Sequence, residues 1–441
     1  MKLSYALTLA LQLLAVDALT VPASGHPGVP GVPKTRPQIH VGPKTLKTKL
    51  PRNSPPRHKT CHVKGGTADD SAALLKSFHA CNNGGHVILD AGVTYTIGTV
   101  LDLTFLKHVD WDIQGTLTFT TDTDYWQANS LKYKFQDSSA FFAIGGKDVN
   151  IFGGGVIDGK GQVWYDLFVK EPTAKRPLLF VIDGLEGGTM SHLNQVNPPN
   201  WFNLIANSTN VVIDNMNLKV AAVGNPAKNT DGWDTYRSSN VVIQNSIIDN
   251  TDDCVSFKPN STQIIVQNLR CNGSHGISVG SLGQYVGVVD IVEDILVYNT
   301  SMSNAGDGAR IKVFPGAPDN VTLNSGGGSG YVKNVVYDKY DVQNVDWPIE
   351  VTGCYTVKDA AACAARPPKF HISDVLFKDF TGVSSKKYEP YIATVACPSV
   401  EACENIRTEN FQVKTPSGNS QAKCSNIDEE VLGLNCTAAA Y

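Results

Sequence analysis

Four polar clusters occur in order along the chain, and their side chains are of types that catalyse reactions. They are Asn229-Thr230-Asp231, Asp252-Asp253-Cys254, Gly273-Ser274-His275-Gly276 and Arg310-Ile311-Lys312. The steps from Asp231 to Asp252, to His275 and to Arg310 are 21, 23 and 35 residues. Each cluster alone is more typical of a turn or a strand edge. Together they predict one site with three carboxylates, an imidazole and two cations.

These residue types suit the hydrolysis of a glycosidic bond in an acidic polysaccharide. One carboxylic acid protonates the leaving oxygen and a carboxylate activates water, about 6.5–9.5 Å apart where the configuration inverts. Carboxylates that share a site repel each other, which raises the pKa of one and keeps it protonated as the acid. Arg310 and Lys312 are two residues apart, so on a strand they face the same side and can bind a sugar carboxylate.

A repeated strand-sized segment indicates how residues so far apart in sequence meet. Residues 210–215 match residues 240–245 and 263–268, and looser copies begin at residues 294, 334 and 374. Short β-branched segments that recur with Asn and Gly between them predict an all-β, single-stranded right-handed parallel β-helix. Equivalent side chains of successive coils then stand about 4.8 Å apart on one face. An antiparallel sandwich is the alternative, but it requires hairpin turns that are not evident.

The first 58 residues differ in composition from the rest. Residues 1–18 have the basic, apolar and small-residue order of a signal peptide, which predicts secretion. Residues 19–58 are rich in proline and are typical of a pro-segment or spacer. A short helix is expected from about Asp69 to Cys81. We therefore expect one β-helix domain at residues 59–441, with this helix as its N-terminal cap.

Composition excludes some function classes. The 441 residues carry a net charge of -4, which argues against a general nucleic-acid binder. With 42% hydrophobic and 18% charged residues, the chain is expected to bury a large core. After the signal peptide, no run of 18 apolar residues predicts a membrane span.

Cysteines and glycosylation signals fit an exported protein. Ten cysteines form five successive close pairs, 61/81, 254/271, 354/363, 397/403 and 424/436, for which disulfides are the default and a zinc site is not indicated. The sequence alone leaves the pairing open. Possible N-glycosylation sites are Asn207, Asn260, Asn272, Asn299, Asn320 and Asn435.

The four clusters resemble the motifs of the pectin-hydrolysing polygalacturonases, glycoside hydrolase family 28. The resemblance extends over essentially the whole chain after residue 60, including the first helix and the Cys254/Cys271 pair. Residues 231–238 and 273–285 are most similar to the fungal exopolygalacturonase branch. The resemblance implies a secreted enzyme that removes terminal galacturonic acid from homogalacturonan with inversion. It implies no cofactor and no metal, and nothing in the sequence requires more than a monomer.

The resemblance also implies a role for each site residue. Asp252 is expected to be the general acid, with Asp231 and Asp253 holding and activating the water. Further expected roles are support of the acid by His275, and substrate binding by Asn229, Arg310 and Lys312. Endo-acting relatives place a Tyr on the coil after Arg-x-Lys, and Trp347 is nearest that place here.

Several alternatives stay open at this stage. A rhamnogalacturonan or xylogalacturonan hydrolase is the nearest rival, followed by an endopolygalacturonase. A pectate lyase would use Ca²⁺, which the three Asp carboxylates suit in principle. A noncatalytic polysaccharide-binding β-helix is the alternative outside the enzymes. Exo action needs a groove that is blocked at one end, and the segments expected to block it are residues 121–136, 314–330 and 353–369.

Overall fold

The computed structural model describes residues 56–318 and 326–438 of the chain. The strands are, in order, β1 (Lys59–His62), β2 (Gly85–Leu89), β3 (Thr94–Ile97), β4 (Leu101–Leu103), β5 (Lys107–Ile113), β6 (Thr116–Phe119), β7 (Leu131–Tyr133), β8 (Ser138–Ala140), β9 (Phe142–Phe152), β10 (Val156–Asp158), β11 (Phe180–Ser191), β12 (Asn194–Val196), β13 (Asn203–Ala206), β14 (Thr209–Asp214), β15 (Asn217–Lys219), β16 (Trp233–Tyr236), β17 (Ser239–Gln244), β18 (Ile247–Asp249), β19 (Val255–Phe257), β20 (Ser261–Asn272), β21 (Ile277–Leu282), β22 (Val289–Val313), β23 (Ser329–Thr352), β24 (Lys369–Ser384), β25 (Tyr391–Ala396), β26 (Cys403–Lys414), β27 (Gln421–Ser425) and β28 (Cys436–Ala438). The helices are α1 (Ser71–Cys81), α2 (Thr123–Asn129), α3 (Gln162–Lys170), α4 (Ala360–Ala364) and α5 (Glu429–Leu432), with 3₁₀ turns at Phe135–Asp137 and Val400–Ala402.

The strands stack in three columns of parallel ladders, which confirms the predicted parallel β-helix. One column includes β2, β5, β9, β11, β14, β17, β20 and β22. A second includes β13, β16, β19, β21, β22 and β23, and a third includes β6, β10, β12, β15 and β18. Among the described strands the only antiparallel pair is β7 with β8. The second column is the one that positions the polar clusters.

The repeated segments of the sequence lie directly above one another. Their inward side chains form one stacked row of buried residues, Val211, Val241, Ile264, Ile295, Val335 and Val375. Each is at most 1% exposed, and burying a side chain of this size stabilises the fold by about 1.5–3 kcal/mol. The hydrophobic repeat therefore sets the register between coils.

Asparagines turn the chain at the corners between columns. Asn245, Asn268 and Asn299 all have φ near +50°, a left-handed conformation that Asn tolerates better than most residues. Their side chains form a ladder in which Asn268 donates to Asn245 over 3.0 Å and Asn299 donates to Asn268 over 2.7 Å. This explains why the first four of the six repeats end in Asn.

The first coil is covered by α1, as predicted. Leu74 and Phe78 of this helix are buried, and the Phe78 ring packs edge-on against Trp111 at 5.2 Å between centroids. The fold begins slightly before residue 59, because the Arg57 guanidinium pairs with Asp110 and Asp148 at 3.1 Å each. Arg57, which the sequence assigned to the spacer, therefore belongs to the folded domain.

All five predicted cysteine pairs are disulfides, including Cys254–Cys271. In residues 56–318 and 326–438, no helix has the length and apolar character needed to cross a membrane. The predicted signal peptide and most of the predicted spacer lie outside the described residues, as does the glycosylation signal at Asn320. Of the other signals, Asn260 is partly buried, whereas the side chains of Asn207, Asn272, Asn299 and Asn435 are exposed.

Candidate active site

The second column brings the predicted carboxylates together. Trp233 of β16 pairs with Val255 of β19, so Asp231 and Asp253, each two residues earlier, are neighbours on adjacent coils. One oxygen from each of Asp231, Asp252 and Asp253 lies within 4.8 Å of the others. These three residues are called the carboxylate cluster below. These oxygens are closer together than the 6.5–9.5 Å that typically separates the two carboxyl groups of an inverting enzyme. A water about 2.8 Å from each of two such oxygens can still bridge them.

The three carboxylates differ in exposure. Asp253 is fully buried and Asp231 is 3% exposed, whereas 19% of the Asp252 side chain is accessible. Asp252 is therefore the member of the cluster that a glycosidic oxygen in the groove can reach.

Local hydrogen bonds hold Asp252 in place. The Asn250 amide donates to the backbone carbonyls of Asp252 and Asp253 over 2.8 and 2.9 Å. The Asn229 amide donates to the Asp252 carboxylate over 3.3 Å, and His275 Nδ1 lies 3.2 Å from its other oxygen. Gly276 fixes the His275 turn, since its φ is +95° and a Cβ there would lie 2.5 Å from the Gly308 carbonyl oxygen.

The pKa of the predicted acid, Asp252, and that of Asp231 are shifted in opposite directions. Burial alone would raise the pKa of Asp252, but the hydrogen bond and charge of His275, with Lys312, hold it below its ordinary value. Burial, with the charges of Asp234 and Asp252, raises the pKa of Asp231 well above its ordinary value. The sequence correctly predicted that one carboxyl has a raised pKa. The structure assigns this property to Asp231 and not to Asp252.

A buried lysine and aspartate beneath the cluster were missed by the sequence analysis. The Lys258 ammonium lies 3.5 Å from Asp231 and 3.5 Å from Asp234, and all three side chains are at most 5% exposed. Burial raises the pKa of Asp234 to about 7, although Lys258 opposes the shift. Asp234 lies three residues after Asp231, but nothing in its own sequence environment distinguishes it from a surface aspartate.

Lys312 faces the cluster rather than open solvent. Its ammonium lies 2.5 Å from Asp253, and its side chain is 5% exposed. The Ser278 hydroxyl donates to the other Asp253 oxygen over 2.8 Å. Lys312 therefore neutralises Asp253, one of the two carboxylates expected to hold the water, and its predicted contact with a sugar carboxylate stays a prediction.

Arg310 is fixed by two carboxylates that the sequence analysis did not select. Its guanidinium lies 2.6 Å from Glu350 and 3.3 Å from Asp307. Burial raises the pKa of Asp307 to about 7, although the Arg310 charge opposes the shift. Glu350 and Asp307 together hold the Arg310 guanidinium in place at the wall of the groove.

The aromatic ring beside the two cations is Tyr355 and not Trp347. The Tyr355 ring centroid lies 5.6 Å from the Arg310 guanidinium carbon and 5.3 Å from the Lys312 ammonium. Trp347 stacks on Tyr388 at 4.3 Å between centroids. A cavity of about 430 Å³ is lined by Arg310, Tyr355, Trp347 and Tyr388, together with Asp252 and His275. Lys312 does not line it. We call it the Arg310 cavity.

Another cavity of about 450 Å³ adjoins the site on the preceding coils, and we call it the Arg176 cavity. It is lined by Arg176, Asn229, Trp201 and the turn between β7 and β8. Arg176 donates to the Asn229 side-chain oxygen over 2.7 Å, and Asn229 in turn donates to Asp252. Asn229 therefore links Arg176 to Asp252. Asp252 thus lines the Arg310 cavity and accepts a hydrogen bond from Asn229, which lines the Arg176 cavity.

Two of the three segments expected to block the groove contribute residues to the walls of the two cavities, and their blocking of the groove stays a prediction. Residues 121–136 contain α2, β7 and Gln136, which lines the Arg176 cavity. Residues 353–369 contain Tyr355 and α4, tied together by the Cys354–Cys363 disulfide. Residues 314–330 lie partly outside the described residues. The loop that supplies Arg176 was not anticipated.

The carboxylate cluster has the donor atoms that a hard cation prefers. However, Lys258 and Lys312 already supply two buried positive charges next to it. These ammonium groups disfavour a divalent cation at the same position.

Comparisons with known proteins agree with this geometry. The family model of Glycosyl hydrolases family 28 matches residues 81–436. "Exopolygalacturonase X-1" of Emericella nidulans is 51% identical over 443 residues, covering 99% of this chain and 100% of the relative. "Exopolygalacturonase" of Cochliobolus carbonum is 55% identical over 386 residues, covering 86% of each.

Among solved structures, the endo-xylogalacturonan hydrolase from Aspergillus tubingensis superposes with a TM-score of 0.78 at 34% identity. The match covers 86% of this chain and 99% of that enzyme. The carboxylate cluster, the β-helix and these relatives together lead to one conclusion: the chain belongs to glycosyl hydrolases family 28.

Proposed function

We propose that the protein is a secreted exopolygalacturonase that hydrolyses the terminal α-1,4-linked galacturonic acid of homogalacturonan. The observation that carries the proposal is that Asp252 lines the Arg310 cavity and is hydrogen-bonded to a residue of the Arg176 cavity, in a chain 51–55% identical to relatives named exopolygalacturonases. Every sugar of homogalacturonan bears a carboxylate, so sugars on both sides of the scissile bond meet a cation.

In the proposed reaction, Asp252 donates its proton to the glycosidic oxygen as the bond to the anomeric carbon breaks. Asp231 and Asp253 hold a water on the other side of that carbon and accept a proton from it as its oxygen attacks. The product is galacturonic acid with inverted configuration. His275 orients Asp252, and Arg310 binds the carboxylate of the sugar that leaves.

The active protonation state requires the proton on Asp252 and an ionised Asp231. In the free site the pKa of Asp231 is raised and the pKa of Asp252 is lowered, which favours the opposite placement of the proton. A bound sugar strips water from Asp252, the most exposed member of the cluster, and desolvation favours its neutral form. Substrate binding thus favours the proton on Asp252, next to the leaving oxygen, over the proton on Asp231.

Hydrolysis of xylogalacturonan is the second candidate, because the A. tubingensis structure shares the fold at 34% identity. The higher identity to exopolygalacturonases favours homogalacturonan. Rates on the two polymers and on rhamnogalacturonan decide between them, and a faster rate on either branched polymer overturns the proposal.

Proton NMR of the product tests inversion. The first galacturonic acid released from the α-linked polymer is expected as the β-anomer, which then mutarotates. Early release of the α-anomer would show a retaining reaction and exclude the proposed roles of Asp231 and Asp253.

Secretion rests on the signal-like residues 1–18, the five disulfides and the exposed glycosylation signals. N-terminal sequencing of protein from the culture medium is expected to begin after Ala18 or further along, before Arg57. Retention in the cell with residues 1–18 intact would contradict it. We further propose that the enzyme is a monomer, which its sedimentation tests.

A further inference from the structure

Arg176 is a buried cation held by neutral partners. It is 5% exposed, and its Nη1 donates to the carbonyls of Pro199 and Lys228 over 2.9 and 2.8 Å. Its Nη2 donates to the side-chain oxygen of Asn229. The guanidinium carbon lies over the ring of Phe168, 3.8 Å from the ring centroid. These contacts fix both the position and the plane of the group.

No carboxylate of the described residues forms an ion pair with Arg176. A guanidinium has five N–H donors, and three hydrogen bonds of Arg176 to other described residues are seen. Burial disfavours the charge of Arg176 and lowers its pKa to about 10, although the nearby charges of Asp252 and Asp231 oppose the shift. A fold that keeps such a group beside its catalytic carboxylates indicates that an anion binds there.

The walls of the Arg176 cavity come from segments that are far apart in sequence. The turn between β7 and β8 is anchored by Gln136, whose backbone N–H donates to the Tyr285 hydroxyl over 2.9 Å, and by Phe135, which stacks on Tyr236 at 4.0 Å. Lys175 pairs with Asp137 and joins this turn to the loop that carries Arg176. The cavity thus has room for one or two sugars. It is bordered by residues of the coils that precede Asp231.

We propose that the Arg176 cavity binds the terminal sugar of the chain, with Arg176 paired to that sugar's carboxylate. The proposal rests on the proposed exo-acting function and extends it: Arg176 makes the enzyme selective for an end sugar that bears a free acid. A methyl ester or a galactose at the terminus leaves the buried cation without its counter-ion. Arg176 is thereby a specificity-determining residue, placed through Asn229 next to Asp252.

The test uses two hexasaccharides labelled at the reducing end. One is hexagalacturonate, and the other carries a methyl ester on the non-reducing terminal sugar only. The wild-type enzyme is expected to have at least a tenfold higher kcat/KM for the free acid. Arg176→Gln is expected to lower kcat/KM for the free acid about 10- to 100-fold and to change that for the ester less than about 3-fold.

Two further variants separate recognition from structure. Arg176→Lys keeps the charge without the bidentate fork, and it is expected to retain part of the preference for the free acid. Arg270→Gln removes an exposed arginine on another face of the β-helix, and it is expected to leave both rates unchanged. Melting temperatures of all variants show which of them fold.

An equal loss on both substrates in Arg176→Gln would mean a structural role and would overturn the proposal. So would a wild-type enzyme that does not distinguish the two substrates, a result that stands even if Arg176→Gln does not fold. Failure of the exo function gives a different result. In that case wild-type enzyme converts hexagalacturonate to labelled oligomers of several lengths instead of labelled pentamer first.

Discussion

Replacing His275 with Ala is expected to move the acidic limb of the pH profile upward. The hydrogen bond to Asp252 raises the pKa of His275, so the imidazole is charged at mildly acidic pH. That charge, 3.2 Å away, helps to keep Asp252 ionised against the effect of burial. In His275→Ala the pKa of Asp252 therefore rises.

The size of the effect follows from the distance and the exposure. The His275 side chain is 48% exposed, so solvent screens its charge and an effective dielectric of about 40–80 is appropriate. At 3.2 Å the interaction is then about 1.3–2.6 kcal/mol, equivalent to about one to two pH units. The lower apparent pKa of the coupled Asp231 and Asp252 pair sets the acidic limb, below which both carboxyls are protonated and Asp231 no longer activates water.

The assay is kcat/KM on hexagalacturonate from pH 2.5 to 8. The acidic limb in His275→Ala is expected about one to two units above that of the wild type, with a lower maximum because Asp252 is less well oriented. His371→Ala is the matched control, since His371 is also half exposed and lies 3.7 Å from a carboxylate, that of Glu404. A limb that does not move, while the maximum falls, would refute the electrostatic coupling.

Three further substitutions test the remaining parts of the site. Asp252→Asn is expected to lower kcat about 10²- to 10⁴-fold with the melting temperature within a few degrees of wild type; a loss below tenfold would remove Asp252 as the acid. Lys312→Ala is expected to lower kcat as well as raise KM, since its ammonium lies 2.5 Å from Asp253, and a change in KM alone would contradict that contact. Glu350→Gln removes the charge of one of the two carboxyl groups that hold Arg310 and is expected to raise KM about tenfold at unchanged kcat. An unchanged KM would show that Asp307 alone is enough to hold Arg310 in place.

Much of the fold and of the candidate site is predictable from sequence. The repeats at residues 210–215, 240–245 and 263–268 stack in the register that their alignment predicts. That stacking brings the three aspartates and His275 together. Both features depend on a repeating pattern, which a single sequence displays.

Residues placed by contacts across coils are harder to predict. The repeats that begin at 294 and 334 differ by 40 residues, and the same step from Arg310 leads to Glu350, its partner in the structure. The 40-residue repeat therefore contains a signal for the contact between Arg310 and Glu350. The same register pairs Trp347 with Asp307, whereas Tyr355 comes after β23 ends and reaches the cations through a loop.

Two properties of the site have no sequence signal. Arg176 meets Asn229 across 53 residues through a loop outside the repeat, so no periodicity places it. The opposite pKa shifts of Asp231 and Asp252 depend on burial and on the hydrogen bond of His275 to Asp252, which a list of residue types does not contain. Sequence alone gives the set of groups, and packing decides their protonation.

The measurement that tests the central claim most directly is the product profile on polygalacturonate, followed early in the reaction by chromatography and viscosity together. Hydrolysis at the chain end predicts galacturonic acid as the sole early product, with viscosity falling slowly. A ladder of oligomers with a rapid fall in viscosity would contradict a groove that ends at the Arg176 cavity.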